Sequence, residues 1–98
     1  MDAWSSKDEI KLVVVFGGRV QGVGFRFTAE TLARTFQIRG FVRNEWDGTV
    51  RLEAEGARGK LEAYLAELQG SRLGRYITDT HCEWQPASGA FAGFEIRY

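Results

Sequence analysis

The sequence predicts an α+β fold in which two helices cover one face of an antiparallel sheet, and three features carry that prediction. Two helix-like stretches each follow a strand-like run, a tight-turn dipeptide separates two alternating runs between them, and 98 residues suffice for one core but not for two. Residues 1–9 are polar and read as a flexible leader, so the domain is expected over residues 10–98.

Each element has its own justification. Ile10-Lys11-Leu12-Val13-Val14-Val15-Phe16 is β-branched and nearly continuous in apolarity, as expected of a strand inside a sheet. From residue 25 to about 36, Phe25, Ala29, Leu32, Ala33 and Phe36 recur with helical period and form one apolar stripe, with Arg26, Glu30 and Arg34 off it. Residues 38–44 return to alternation, with Ile38 and Val42 on one side and Arg39, Phe41 and Arg43 on the other. Asp47-Gly48 is a hairpin-turn pair, and residues 49–55 then alternate apolar and charged, the pattern of a strand with one solvent face ended by Gly56. A second helix over residues 57–69 places Leu61, Tyr64, Leu65 and Leu68 together and stops at Gly70. Residues 71–75 connect to a strand over 76–84, and 93–98 form a closing strand. The order is β-α-β-β-α-β with a short fifth strand, the split βαβ or ferredoxin-like arrangement.

The stretch with the clearest chemistry is Gly17-Gly18-Arg19-Val20-Gln21-Gly22-Val23-Gly24-Phe25-Arg26, between the first strand and the first helix. Glycines there open backbone conformations closed to other residues and let an anion approach the amides. A helix starting near Phe25 adds its free N–H groups and the positive end of its dipole. Arg26, a cation in the first turn, is mildly disfavoured by that dipole unless an anion sits beside it. The guanidinium fork matches two phosphoryl oxygens; without the loop, Arg26 reads as a solvent-facing helix arginine. The glycine spacing fits neither the dinucleotide fingerprint nor a Walker loop.

Asn44 ends a strand just before the Asp47-Gly48 turn, where its amide either serves a phosphoryl group and a water or caps the turn, the cap being the simpler reading of the residues alone. His81 and Cys82 are neighbours in a strand and point to opposite faces, which excludes them as a joint metal clamp; His81 reads as a surface residue and Cys82 as a core thiol. Glu53 and Glu55 read as a solvated strand face. The 13 basic and 13 acidic residues balance, so no global field attracts nucleic acid or an anionic membrane. Phe41, Trp46, Trp84 and Phe91 invite comparison with an RNA-stacking sheet, but Arg51, Glu53 and Glu55 occupy the strand positions where rings are needed. The lone Cys82 provides no intramolecular disulfide, and no apolar run reaches spanning length, so a cytoplasmic protein is expected.

Gly18-Arg19-Val20-Gln21-Gly22-Val23-Gly24-Phe25-Arg26 resembles the first signature of the acylphosphatases, and Gly40-Phe41-Val42-Arg43-Asn44 with Gly48-Thr49-Val50 and Gly56 resembles their second. Gly93-Phe94-Glu95-Ile96-Arg97-Tyr98 is similar to their closing strand, so the resemblance runs from about residue 10 to the end. It implies a free-standing, monomeric, metal-free and cofactor-free hydrolase of small acyl phosphates that releases inorganic phosphate. The family's phosphate-binding arginine falls on Arg26 and its water-orienting asparagine on Asn44, the two implied catalytic residues. The phosphate cradle falls on Gln21, Gly22, Val23, Gly24, Phe25 and Arg26. Glu45-Trp46 departs from the usual pattern, and leaves open whether a carboxylate beside the site repels the substrate or points away. The alternative class is a catalytically silent anion- or RNA-binding module on the same fold.

Overall fold

The apolar run at residues 10–16 sits inside the sheet with a strand on each side. The computed structural model describes residues 8–98. Its elements are β1 (Glu9–Gly18), α1 (Phe25–Phe36), β2 (Arg39–Asn44), β3 (Val50–Ala57), α2 (Arg58–Gly70), a 3-10 helix (Arg72–Tyr76), β4 (Ile77–Pro86) and β5 (Phe94–Arg97). Of the expected leader, residues 1–7 lie outside the described residues, while Asp8 is in a turn and Glu9 already pairs with Ala57.

The strands are ordered β4-β1-β3-β2-β5. All pairings are antiparallel except β2 with β5, which is parallel. The direction follows from the route of the chain: β4 ends beside the start of β1, with Pro86 opposite Ile10, and residues 87–93 then cross to the far edge and enter β5 at the same end. Both helices lie on one face. Phe25, Ala29 and Ala33 of α1 and Leu61, Tyr64 and Leu68 of α2 join Leu12, Val14, Phe16, Val42, Val50, Leu52 and Ala54 of the sheet in one core. The Tyr64 hydroxyl donates to the Ala29 carbonyl at 2.8 Å, so the aromatic ring that fills the space between the helices also satisfies its own polar end.

Several boundaries differ from the sequence expectation for local reasons. Gly56 does not end β3; it pairs with Ile10 inside the strand, and its missing side chain leaves the space that the Ile38 methyl fills. Gly70 is the last residue of α2, and the stop is Ser71, whose backbone is extended and whose hydroxyl donates to the Leu68 carbonyl at 2.6 Å. Cys82 is exposed rather than in the core. It occupies the helix-side register opposite Val14, but β4 is the sheet's edge strand, and a face that alternates correctly there still reaches past the helix layer.

Glu55 is the larger correction, because a solvated strand face is what the alternation implies and the residue is fully buried. Residues 87–93 cross the face opposite the helices and cover it. The Glu55 carboxylate accepts from Ser88 N at 2.8 Å, Ser88 Oγ at 2.7 Å and Gly89 N at 3.0 Å, with Lys11 Nζ at 3.8 Å. Phe91 closes over Phe41 beyond it, ring centroids 5.9 Å apart. Burial raises the Glu55 pKa, but the Ser88 and Gly89 hydrogen bonds and the Lys11 charge outweigh it and hold the group below its ordinary 4.5.

Since the folded-state pKa lies below the unfolded one, this carboxylate contributes stability that is present above about pH 4.5 and is lost as pH falls through the folded value. Glu55→Gln is expected to lower unfolding free energy at pH 7 by about 2 kcal/mol. Urea denaturation from pH 3 to 7 checks both points: the wild type should lose stability on acidification below pH 4.5, and the difference between the two proteins should shrink over the same range.

Candidate active site

Two strand registers bring the candidate residues to one end of the sheet. Phe16 of β1 and Asn44 of β2 both pair with Val50 of β3, so the loop leaving β1 and the end of β2 lie at one level, one strand apart. β5 runs parallel to β2 with Arg97 opposite Arg43, which brings Tyr98 to the level of Asn44. A cavity of about 300 Å³ opens there, lined by residues that include Gly22, Gly24, Phe25, Arg26, Asn44 and Tyr98.

The loop has the shape its glycines imply. Gly22 and Gly24 both have φ of 78°, in the left-handed region, and Gly24 is the residue before α1. The helix begins at Phe25 as expected, its first turn contains no acidic residue, and no side chain among the described residues caps its N–H groups. Those unpaired amides and the dipole therefore face the cavity unneutralised. Phe25 is buried against Phe16 at 4.9 Å between centroids, which fixes where the helix starts relative to β1. Gln21 braces the loop: its Nε2 donates to the carbonyls of Glu45 at 2.7 Å and Thr49 at 2.9 Å, tying the loop to the β2–β3 turn.

Arg26 lines the same cavity from the first turn of α1. Its Nη1 donates to the Arg97 carbonyl at 3.4 Å, and its guanidinium carbon lies 4.7 Å from the Tyr98 ring centroid. The closing strand thus aims the arginine. A guanidinium has five donors, so one long bond to a carbonyl leaves the fork able to meet an anion.

Asn44 is where the two readings of the sequence separate. The β2–β3 turn is capped by Asp47, whose Oδ1 accepts from Thr49 N at 3.0 Å and Thr49 Oγ1 at 2.7 Å. These bonds hold the Asp47 carboxyl below its ordinary pKa of 3.8. Asn44 lines the cavity, and its Oδ1 is buried with no hydrogen-bond partner among the described residues. A buried acceptor without a partner is costly in a folded protein unless a ligand or water completes it. Glu45, the departure noted in the sequence, turns away: its carboxylate accepts from Arg43 Nε at 2.8 Å. Trp46 is 97 % exposed on the turn.

The remaining candidates are scattered. His81 is at the surface, 3.4 Å from Asp79. Among the described residues no group of three His, Cys, Asp or Glu side chains could hold a metal ion. The aromatics compared with an RNA platform do not share a surface. Phe41 and Phe91 pair under Arg97 on the face away from the helices, whereas Trp84 packs on the helix-side core beneath Arg58. What local sequence reading missed are the supports from distant positions: Arg97 and Tyr98 on Arg26, and Arg72, whose Nη1 donates to the Val23 carbonyl at 3.0 Å. No signal in the loop itself announces them.

Residues 12–96 match the acylphosphatase family model. An acylphosphatase from Salinibacter ruber is 47 % identical over 81 residues, covering 82 % of this chain and 84 % of the relative. The crystal structure of an acylphosphatase from Bacillus subtilis superposes with a TM-score of 0.81 at 27 % identity, over 91 % of this chain and 99 % of that one. An acylphosphatase structure from Coxiella burnetii gives 0.81 at 26 % identity, over 95 % and 97 %.

The turn and the asparagine are separable by stability. Asp47→Ala removes both bonds to Thr49 and is expected to lower the melting temperature, while Asn44→Ala deletes an unpartnered acceptor and should leave it unchanged or slightly raised. Thermal denaturation of the two variants beside the wild type checks this.

Proposed function

The chain belongs to the acylphosphatase family, and on that premise we propose that it hydrolyses small acyl phosphates to a carboxylate and inorganic phosphate. The observation that carries the residue roles is that Asn44, whose buried Oδ1 has no partner among the described residues, lines the same cavity as Arg26 and the glycine loop.

The cradle from Gln21 to Arg26 receives the phosphoryl group. Backbone N–H groups at the start of α1 and the Arg26 fork neutralise its oxygens, and Gly22 and Gly24 let the group come close. Asn44 Oδ1 accepts a hydrogen from a water and fixes the direction in which the water's lone pair points. The water oxygen attacks phosphorus, the bond from phosphorus to the acyl oxygen breaks, and the bonding pair leaves with the carboxylate. An acyl phosphate dianion and water give a carboxylate and dihydrogen phosphate, so charge and protons balance without an added base. A carboxylate is a good leaving group, and the barrier is lowered mainly by charge neutralisation and alignment. An amide suits this role because it orients a water without adding negative charge beside the phosphate.

The route needs no residue from a second copy, in keeping with a monomer acting on a small molecule. A cytoplasmic location belongs to the same proposal. It is supported by the absence, among the described residues, of any helix long and apolar enough to cross a membrane, together with the single cysteine.

Release of phosphate from benzoyl phosphate by purified protein tests the reaction, and the rate should persist in excess chelator. Activity that vanishes with chelator and returns with added metal would contradict the metal-free route. The roles of Arg26 and Asn44 divide by kinetic pattern. Arg26→Ala is expected to weaken both kcat/KM and competitive inhibition by phosphate on the order of a hundredfold, with poor rescue by lysine, which lacks the fork. Asn44→Ala should lower kcat on the order of a hundredfold while the inhibition constant for phosphate stays close to wild type. Retention of phosphate inhibition in R26A, or of kcat in N44A, would remove the respective role.

A further inference from the structure

We propose that Arg72 is a positioning residue of the phosphate cradle: it sets the orientation of the Val23–Gly24 peptide and so aims the Gly24 N–H at the anion. The inference rests on reading the loop as the phosphate site. The Arg72 guanidinium bridges the loop and the helix, donating from Nη1 to the Val23 carbonyl at 3.0 Å and from Nη2 to Thr28 Oγ1 at 3.4 Å. All peptide bonds of the described residues are trans, so the Val23 carbonyl and the Gly24 N–H point in opposite directions across one plane. Gly24 lines the cavity and Arg72 does not. Holding the carbonyl on the outer side therefore holds the Gly24 N–H on the inner side.

The plane of this peptide is open to rotation. It joins Val23 to Gly24, which is in the left-handed region, and with no side chain at Gly24 the plane turns through Val23 ψ and Gly24 φ at less cost than between two residues that carry side chains. A flipped plane would present a carbonyl oxygen to the phosphate in place of a donor. The arginine approaches so closely that a β-carbon on Gly24 would lie 2.9 Å from Nη2, so the loop and the guanidinium occupy complementary space.

The base of Arg72 is itself fixed. Ser71 Oγ accepts from Leu73 N at 3.2 Å, Ser71 O accepts from Gly74 N at 3.0 Å, and Leu73 is fully buried in the core. The short helix after α2 thus serves as a post from which one side chain reaches the loop. Because the guanidinium is exposed, its bonds contribute little to global stability. Their effect is on the geometry of the cradle, which a binding measurement reads and a melting temperature does not.

Inorganic phosphate is titrated into ¹⁵N-labelled wild type, Arg72→Ala, Arg72→Met and Arg72→Lys, each well below its melting temperature, with affinity and the Gly24 amide shift followed together. Methionine keeps the stem in place if alanine proves poorly folded. Wild type is expected to shift the Gly24 amide on binding. The Ala and Met variants should bind phosphate roughly tenfold more weakly, the factor expected for one well-aimed donor to an anion, with a diminished Gly24 shift. Lysine keeps the charge but cannot bridge Val23 and Thr28 with a planar fork, and should recover only a small part. Wild-type affinity and Gly24 shift in both R72A and R72M would overturn the proposal, as would full recovery in R72K, which would reduce Arg72 to a nearby charge. Phosphate binding without turnover of acyl phosphates in the wild type would instead contradict the proposed reaction and leave this comparison standing.

Discussion

Val50 pairs with Phe16 on one side and with Asn44 on the other, and these two ladders hold the glycine loop and the asparagine at one level of the sheet. The constraint is strict because strand side chains alternate. A slip of one residue between β2 and β3 would send Asn44 to the face away from α1 and would bring the arginines of β2 into the core. Val42, Leu52 and Ala54 forbid that slip, since all are fully or almost fully buried under the helices. The hydrophobic core therefore sets the geometry of the site, and the Asp47-Gly48 turn with its bonds to Thr49 fixes the register where the two strands meet. The parallel pairing of β5 extends the same logic to Arg97 and Tyr98, which reach Arg26 only because that strand starts at the opposite end of the sheet.

The two faces of the sheet divide the charges. On the face away from the helices, Glu45 bonds to Arg43, Arg51 to Glu53, and Glu55 to the backbone of residues 88 and 89. Each of these carboxylates has a partner on its own side of the sheet. On the helix side, the first turn of α1 contains no acid, and among the described residues no carboxylate side chain lines the cavity. In a chain with no net charge, the attraction for an anion is thus produced by placement alone. This placement also answers the question raised by Glu45, whose negative charge is neutralised beside the site without entering it.

The elements that could be read from the sequence are those decided within a few residues. The start of α1 at Phe25, the glycine loop and the hairpin at Asp47-Gly48 depend on local backbone preference and helical period, and they lie where the pattern put them. Elements decided by distant parts of the chain could not be read. Glu55 alternates as a solvent-facing residue and is buried because residues 87–93 return across it. Cys82 alternates as a core residue and is exposed because its strand lies at the edge. Gly56 looks like a terminator and is instead the gap that Ile38 occupies. For Asn44 the residues alone left two roles open. Asp47 fills the first of them, and the unpartnered Asn44 Oδ1 supports the second.

The most direct test of convergence at the end of the sheet is a crystal structure with phosphate bound. The phosphorus is expected over the N-terminus of α1, its oxygens within hydrogen-bond distance of the amides between Gly22 and Arg26 and of the Arg26 guanidinium. An ordered water is expected between the anion and Asn44 Oδ1. Phosphate bound elsewhere on the molecule, or an Asn44 side chain that turns from the anion to bond the β2–β3 turn, would contradict that convergence.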